Sequence, residues 1–304
     1  MGSECRKRFP AVAGNDRMTE TYVLTLSCDD RPGIVAGVAG LIFSSGGNVI
    51  EAQQFDDLET RRFFMRVEFR VEAGRGAADT IDAGLHAMAA EASGFTWTLR
   101  DTARRQRVLL LVSKFDHCLG DLLYRNRIGE LKMDVVGIVS NHPKEALNLT
   151  LIGDIPYHYL PVTPQTRSEQ EARIKAIIEE TSAELVVLAR YMQILSQDMA
   201  DHLHGRCINI HHSFLPGFKG ARPYHQAHER GVKMIGATAH YVTSDLDEGP
   251  IIVQDVEPIT HADSPEALIR KGRDIERRVL ARAVAHHLEN RILMNGCKTV
   301  VFQT

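Results

Sequence analysis

RVLLLVS, residues 107–113, decides the fold of most of this chain. Val108 to Val112 are all apolar, with no polar residue interrupting them. A run so short and so apolar reads as a strand buried on both faces, the habit of a parallel sheet covered by helices. The text downstream keeps the same style. HCLGDLLYRNRIG (117–129) reads as an amphipathic helix and MDVVGIVSN (133–141) as another buried strand. HYLPV (158–162), the helix SEQEARIKAIIEET (168–181) and the strand ELVVLAR (184–190) follow. Short apolar strands alternating with helices predict a mostly parallel α/β sheet. GATAHYVT (236–243) and PIIVQDVEPI (250–259) predict a late antiparallel pair, and residues 265–290 a long closing helix.

Residues before 107 are written differently. TYVLTLSC (21–28) alternates like a half-buried strand, and DDRPG (29–33) turns the chain, with Pro32 fixing φ and Gly33 allowing close backbone approach. A helix (34–47), two antiparallel strands (48–57 and 61–72), an alanine-rich helix (77–93) and a closing strand (95–102) complete a β-α-β-β-α-β order, the split ferredoxin-like pattern. DTARRQR (101–107), polar and without apolar periodicity, reads as a linker. The expected organisation is a disordered lead-in at 1–19, a small regulatory-type domain at 20–102 and a larger domain at 103–304. The lead-in lacks the apolar core of a secretory signal.

Composition narrows the function classes. Of 304 residues 44% are hydrophobic and 25% charged, as in ordinary globular proteins. Thirty-six basic residues against 39 acidic ones, with no basic run, give no case for nucleic acid. No apolar run is long enough to span a membrane. Five scattered cysteines without a CxxC pair suggest neither a disulfide framework nor a zinc site, and point to a reducing cytoplasm. The larger domain is Rossmann-like in build but lacks GxGxxG after its first strand, which weighs against a nicotinamide cofactor.

Chemistry concentrates in CINIHHSFLP (207–216). If CINI is a strand, the histidines sit at its C-terminal end, where open parallel sheets bind ligands. Alternation sends Asn209 and His211 to one face and His212 to the other, so His211 is the expected chemical residue and His212 a structural one. Adjacent histidines on a strand rarely chelate one ion, and no metal is expected. His202/His204 and His286/His287 read as surface.

Two resemblances sharpen these readings. DRPGIVA followed by GGNVIEAQQ resembles an ACT domain over residues 20–100, a module that often binds small amino acids. The resemblance implies an effector site at Asp30, Arg31, Gly33 and Ile34, where free N–H groups at a helix start suit a carboxylate, and pairing into a homo-oligomer. INIHHSFLPGFKGARPYHQAHERGVKMIGATAHYVTSDLDEGPIIVQD resembles the formyl-transfer fold of enzymes using 10-formyltetrahydrofolate, over residues 105–290. It implies a catalytic Asn209, His211 and Asp247, with the pterin held by Met192, Gln193 and Leu195 on one wall and by His240 and Thr243 on the other.

Three formyl acceptors occur among such enzymes. SKFDHCLGDLL (113–123) places Phe115 and Asp116 where ribonucleotide enzymes cradle a phosphate, and Asp116 repels one. NRILMNGCKTVVFQT (290–304) reads as a tail strand rather than a basic tRNA-binding domain. Water remains. An ACT segment followed by SKFDHCLGDLLYR and the three catalytic positions resembles the formyltetrahydrofolate deformylase family. The resemblance implies a hydrolase with folate as substrate and no cofactor, with His211 or Asp247 accepting the proton of water. A transferase acting on a small amine, or a silent folate sensor, are the alternatives.

Overall fold

A computed structural model describes residues 19–74, 76–147, 151–215 and 223–303. The expected lead-in lies outside these residues except for Thr19, as does Pro216 of the SFLP turn. The chain divides into two compact units, residues 1–103 and 104–304.

In the first unit the elements are β1 (Thr19–Asp29), α1 (Ile34–Ser44), β2 (Asn48–Asp57), β3 (Arg62–Glu72), α2 (Ala77–Ala90) and β4 (Thr96–Asp101). The antiparallel sheet runs β2-β3-β1-β4, with β2 and β4 at its edges. Leu24, Leu26, Val67 and Phe69 of the central strands pack on Val38 and Ile42 of α1 and Ile81 and Leu85 of α2. This burial is what a one-faced sheet and two amphipathic helices require. At the candidate effector turn Asp30 is exposed, its N–H bonded to the Arg61 carbonyl. Arg31 donates to the Glu91 carbonyl at 3.2 Å. Ile34 is buried, and no side chain caps the start of α1.

The second unit contains β5 (Gln106–Val112), α3 (His117–Arg127), β6 (Met133–Ser140), β7 (Tyr157–Tyr159), α4 (Arg167–Thr181), β8 (Leu185–Leu188), α5 (Gln197–His202) and β9 (Cys207–His211). It continues with α6 (Pro223–Glu229), β10 (Met234–Tyr241), β11 (Ile251–Pro258), α7 (Pro265–Leu288), β12 (Ile292–Asn295) and β13 (Lys298–Val301). Seven strands lie in the order β11-β10-β9-β8-β5-β6-β7. Strands β5 to β9 pair in parallel, while β10 is antiparallel to both β9 and β11. The apolar run at 108–112 is buried on both sides. Val108, Leu110 and Val112 join the core built with α3 and α7, and Leu109 and Leu111 the core built with α4.

Two readings need correction. Residues 292–301 form a two-stranded hairpin rather than one tail strand, because Gly296, at φ 61°, turns the chain back. The pair His286/His287 is not at the surface. The last turns of α7 lie against the sheet, so His286 is buried and the His287 Nδ1 is 2.7 Å from the Tyr241 hydroxyl. No helix among the described residues is long and apolar enough to cross a membrane.

Chain order explains where a ligand goes. From β5 the chain moves outward to β6 and β7, then returns to place β8 on the other side of β5. The crevice opens at the C-terminal ends of β5 and β8, where direction switches. There the Ser113 hydroxyl accepts from the Met192 N–H at 2.9 Å.

Candidate active site

Strand β9 and its antiparallel neighbour set the first contact. Register places His240 of β10 opposite Asn209 and Thr238 opposite His211. His240 donates from Nδ1 to the Tyr241 carbonyl at 2.8 Å, which leaves Nε2 to accept from the Asn209 amide at 3.2 Å. Burial pulls the His240 pKa below its ordinary value, and the Tyr241 carbonyl offsets this only in part. The ring is therefore neutral and holds Asn209 in one orientation.

Asp247 arrives from the loop between β10 and β11. That loop folds tightly onto the strand end. A Cβ on Gly249 would stand 1.7 Å from the Tyr241 carbonyl oxygen, so only glycine fits. Asp247 itself has φ 59°, a left-handed conformation that costs a non-glycine residue energy and marks a constrained position. Its Oδ2 accepts from His211 Nδ1 at 3.3 Å, and Oδ1 is 3.8 Å from His240 Nε2. Burial pushes its carboxyl pKa up, but the His211 hydrogen bond and the surrounding imidazoles win, leaving it below the usual carboxylate value.

His211 is buried, and its Nε2 has no hydrogen-bond partner. An orphaned polar atom of this kind is costly unless something else meets it. His211 is one of the residues that line a cavity of about 680 Å³. Met192, Gln193, Leu195, His240 and Thr243, the residues expected to hold a pterin, all line that cavity together with Asn209, His211 and Asp247. The Met192 side chain is 51% exposed, so it is an open wall and not core packing.

His212 departs from its expected placement. Strand β9 ends at His211, so strict alternation stops there. The His212 ring turns to stack on His211, with centroids 5.1 Å apart and planes at 19°, and lines the same cavity. Arg190, Tyr224 and Glu276 also lie on the cavity wall and were not anticipated. Two signals bear on them in the sequence. Arg190 ends the apolar strand run ELVVLAR, and Glu276 interrupts the apolar stripe Leu268, Ile275, Val279 of α7.

Among the described residues one group has metal-ligand chemistry in mutual reach: His117, Cys118 and Glu276. Its makeup suits hydrogen bonds better than a cation. The Arg190 guanidinium already lies 3.3 Å from the Glu276 carboxylate, and burial pushes the Cys118 thiol pKa well up.

These features suit acyl chemistry: an amide donor, an imidazole with one unpartnered nitrogen, and a carboxylate behind it, on the wall of a cavity sized for a small molecule. Residues 106–284 match the formyl transferase family and residues 22–78 the ACT domain. The class is therefore a formyl-transfer fold preceded by an ACT domain. A formyltetrahydrofolate deformylase of Corynebacterium sp. is 47% identical, covering 93% of this chain and 98% of the relative. That of Escherichia coli K12 is 40% identical over 92% of this chain and 97% of its own. The crystal structure of the Burkholderia mallei deformylase is 51% identical, with a TM-score of 0.88, covering 93% of this chain and all of the other. Glycinamide ribonucleotide transformylase 1 from Symbiobacterium toebii is 28% identical with a TM-score of 0.62, covering 68% of this chain and 98% of its own. The chain belongs to the formyltetrahydrofolate deformylase family.

Proposed function

We propose that this protein hydrolyses 10-formyltetrahydrofolate to tetrahydrofolate and formate, with Asn209, His211 and Asp247 as its catalytic residues. The observation that carries this reading is the bare Nε2 of buried His211, backed at Nδ1 by Asp247. With Nδ1 holding its proton for the carboxylate, Nε2 is the nitrogen with a free lone pair. It takes a proton from water as the water oxygen bonds to the formyl carbon. Asn209 has a second amide hydrogen beyond the one spent on His240, and donates it to the oxygen that becomes negative. The carbon–nitrogen bond then breaks, the folate nitrogen takes the proton back from His211, and formate leaves. No metal or cofactor enters this scheme.

Met192, Gln193 and Leu195 opposite His240 and Thr243 form the walls between which the pterin would lie. The turn after β5 puts Phe115 on the cavity wall. Phe115 stands there with the guanidinium carbons of Arg190 and Arg273 5.9 and 5.8 Å from its ring. Hydrolysis in this sense balances one-carbon pools and supplies formate for purine synthesis. Buried Cys28, Cys118 and Cys207, all free thiols, suit a reducing cytoplasm. At the first unit we propose an amino-acid effector held at Asp30, Arg31, Gly33 and Ile34. Edge strand β2, with exposed Val49, Ile50 and Phe55, supports pairing into a homo-oligomer.

Turnover in H₂¹⁸O tests the reaction class. One labelled oxygen in the formate is expected; formate without the label would exclude direct attack by water.

A further inference from the structure

The two adjacent histidines are held in opposite protonation patterns. Arg190 Nη1 lies 2.6 Å from His212 Nδ1. A guanidinium only donates, so this ring nitrogen must be bare, and the proton of the neutral ring sits on Nε2. His211 is the converse. Its Nδ1–H is committed to Asp247 and its Nε2 is bare. The rings stack 5.1 Å apart at 19°, and both residues line the same cavity, one with a bare Nε2 and the other with an Nε2 that carries the proton.

The arrangement that fixes His212 is built from several elements. Arg190 holds φ 64° at the end of β8, and its Nε lies 3.3 Å from Glu276 Oε2. Glu276, 1% exposed, also accepts from the Tyr224 hydroxyl at 2.6 Å, and its Oε2 lies 2.8 Å from His117 Nε2. Tyr224 reaches it because α7 carries Gly272, where a Cβ would stand 2.1 Å from the tyrosine ring. The Glu276 carboxylate is the hub of this buried network, while Arg190 Nε meets it as an ion pair without a hydrogen bond. Tyr224 also lies near the His212 ring, with centroids 6.4 Å apart, and Phe115 lies under the Arg190 guanidinium at 5.9 Å.

We propose that His212, resting on the hydrolytic reading above, is a further catalytic residue whose Nε2–H holds the attacking water, with Arg190 and Glu276 as its positioning residues. The water accepts from His212, donates to His211 Nε2 and turns its remaining lone pair toward the formyl carbon. The groups packed about the ring are Arg190, His211, Asp247, Glu276 and Tyr224. Burial, with Arg190 and His211 adding to it, pushes the His212 pKa down to about 4, which keeps the donor form at neutral pH.

Nitrogen-15 NMR of the histidine-labelled full chain tests the placement without any substitution. The expected His212 signal carries its proton on Nε2 and does not titrate between pH 5.5 and 8. A proton on Nδ1, or a midpoint near the ordinary ~6.5, would overturn the proposal. Kinetics supply the second arm. His212→Leu should lower kcat ~100-fold with KM within ~3-fold, the loss typical of one positioned donor. His212→Gln, which restores an N–H at similar reach, should recover ~10-fold of that loss. Wild-type turnover in His212→Leu, or no recovery in His212→Gln, would also overturn it. Wild-type enzyme in amine-free buffer is the parallel control: no formate there refutes the hydrolytic reading itself, whereas formate release indifferent to His212 refutes this inference alone.

Discussion

Asp247→Asn isolates the electrostatic part of the proposed mechanism. The substitution keeps the shape of the side chain and removes its charge beside His211. As His211 takes a proton from water it becomes an imidazolium 3.3 Å from the carboxylate. Two opposite unit charges at that distance attract by ~5 kcal/mol at an effective dielectric constant of about 20. Asp247 keeps some contact with solvent, which trims the figure to ~3–4 kcal/mol. At ~1.4 kcal/mol per factor of ten, kcat should fall ~100- to ~1000-fold. Binding should change little, because the missing attraction arises only once the proton moves. Formate release gives kcat, and tetrahydrofolate binding by calorimetry gives the affinity. Wild-type turnover in the variant, or a loss confined to affinity, would refute the role assigned to Asp247.

Other outcomes follow from the same geometry. His211→Ala should lower turnover at least ~100-fold while tetrahydrofolate still binds, as read by the same two assays. Gly249→Ala forces a methyl group against the Tyr241 carbonyl, so chemical denaturation should report a loss of ~1–3 kcal/mol and the activity should fall with the displaced Asp247 loop. Stability should also depend on pH in a definite sense. His212 is neutral in the fold down to about pH 4 and, once unfolded, binds a proton below ~6.5, so its contribution is complete above ~6.5 and is lost as pH falls toward 4. Asp247 and Glu276, both held below ordinary carboxylate values, contribute fully above those ordinary values and lose the contribution as pH falls from them through the lowered ones. Urea midpoints between pH 4 and 8 measure the first effect, and a flat profile would contradict it. Calorimetry with a panel of amino acids should find one that binds the full chain; no binding across the panel would remove the proposed effector site.

Much of the fold was legible in local pattern. The apolar run at 108–112 announced a doubly buried strand. Alternation at 21–28 announced which residues meet the helices, Leu24, Leu26 and Cys28, but not that Val23, Thr25 and Ser27 between them are buried as well. Asn209, His211 and Asp247 were legible because the motifs around them resemble a known family, and the three converge at one cavity. Residues at a distance in sequence were harder. Arg190 and Glu276 are 86 positions apart and meet only because α7 packs along the strands that carry the site. Nothing local to either announces the ion pair. His212 was misplaced for a different reason. Alternation holds only while a strand lasts, and β9 stops one residue earlier. The burial of His286 depends likewise on where the closing helix rests, which no local pattern encodes.

One measurement bears on the central claim most directly: purified enzyme and 10-formyltetrahydrofolate in buffer free of any amine, with formate and tetrahydrofolate followed together. The account predicts that both accumulate in equal amounts at a rate proportional to enzyme. Formate that stays at background until an amine is added, with the formyl group then recovered on that amine, would contradict it.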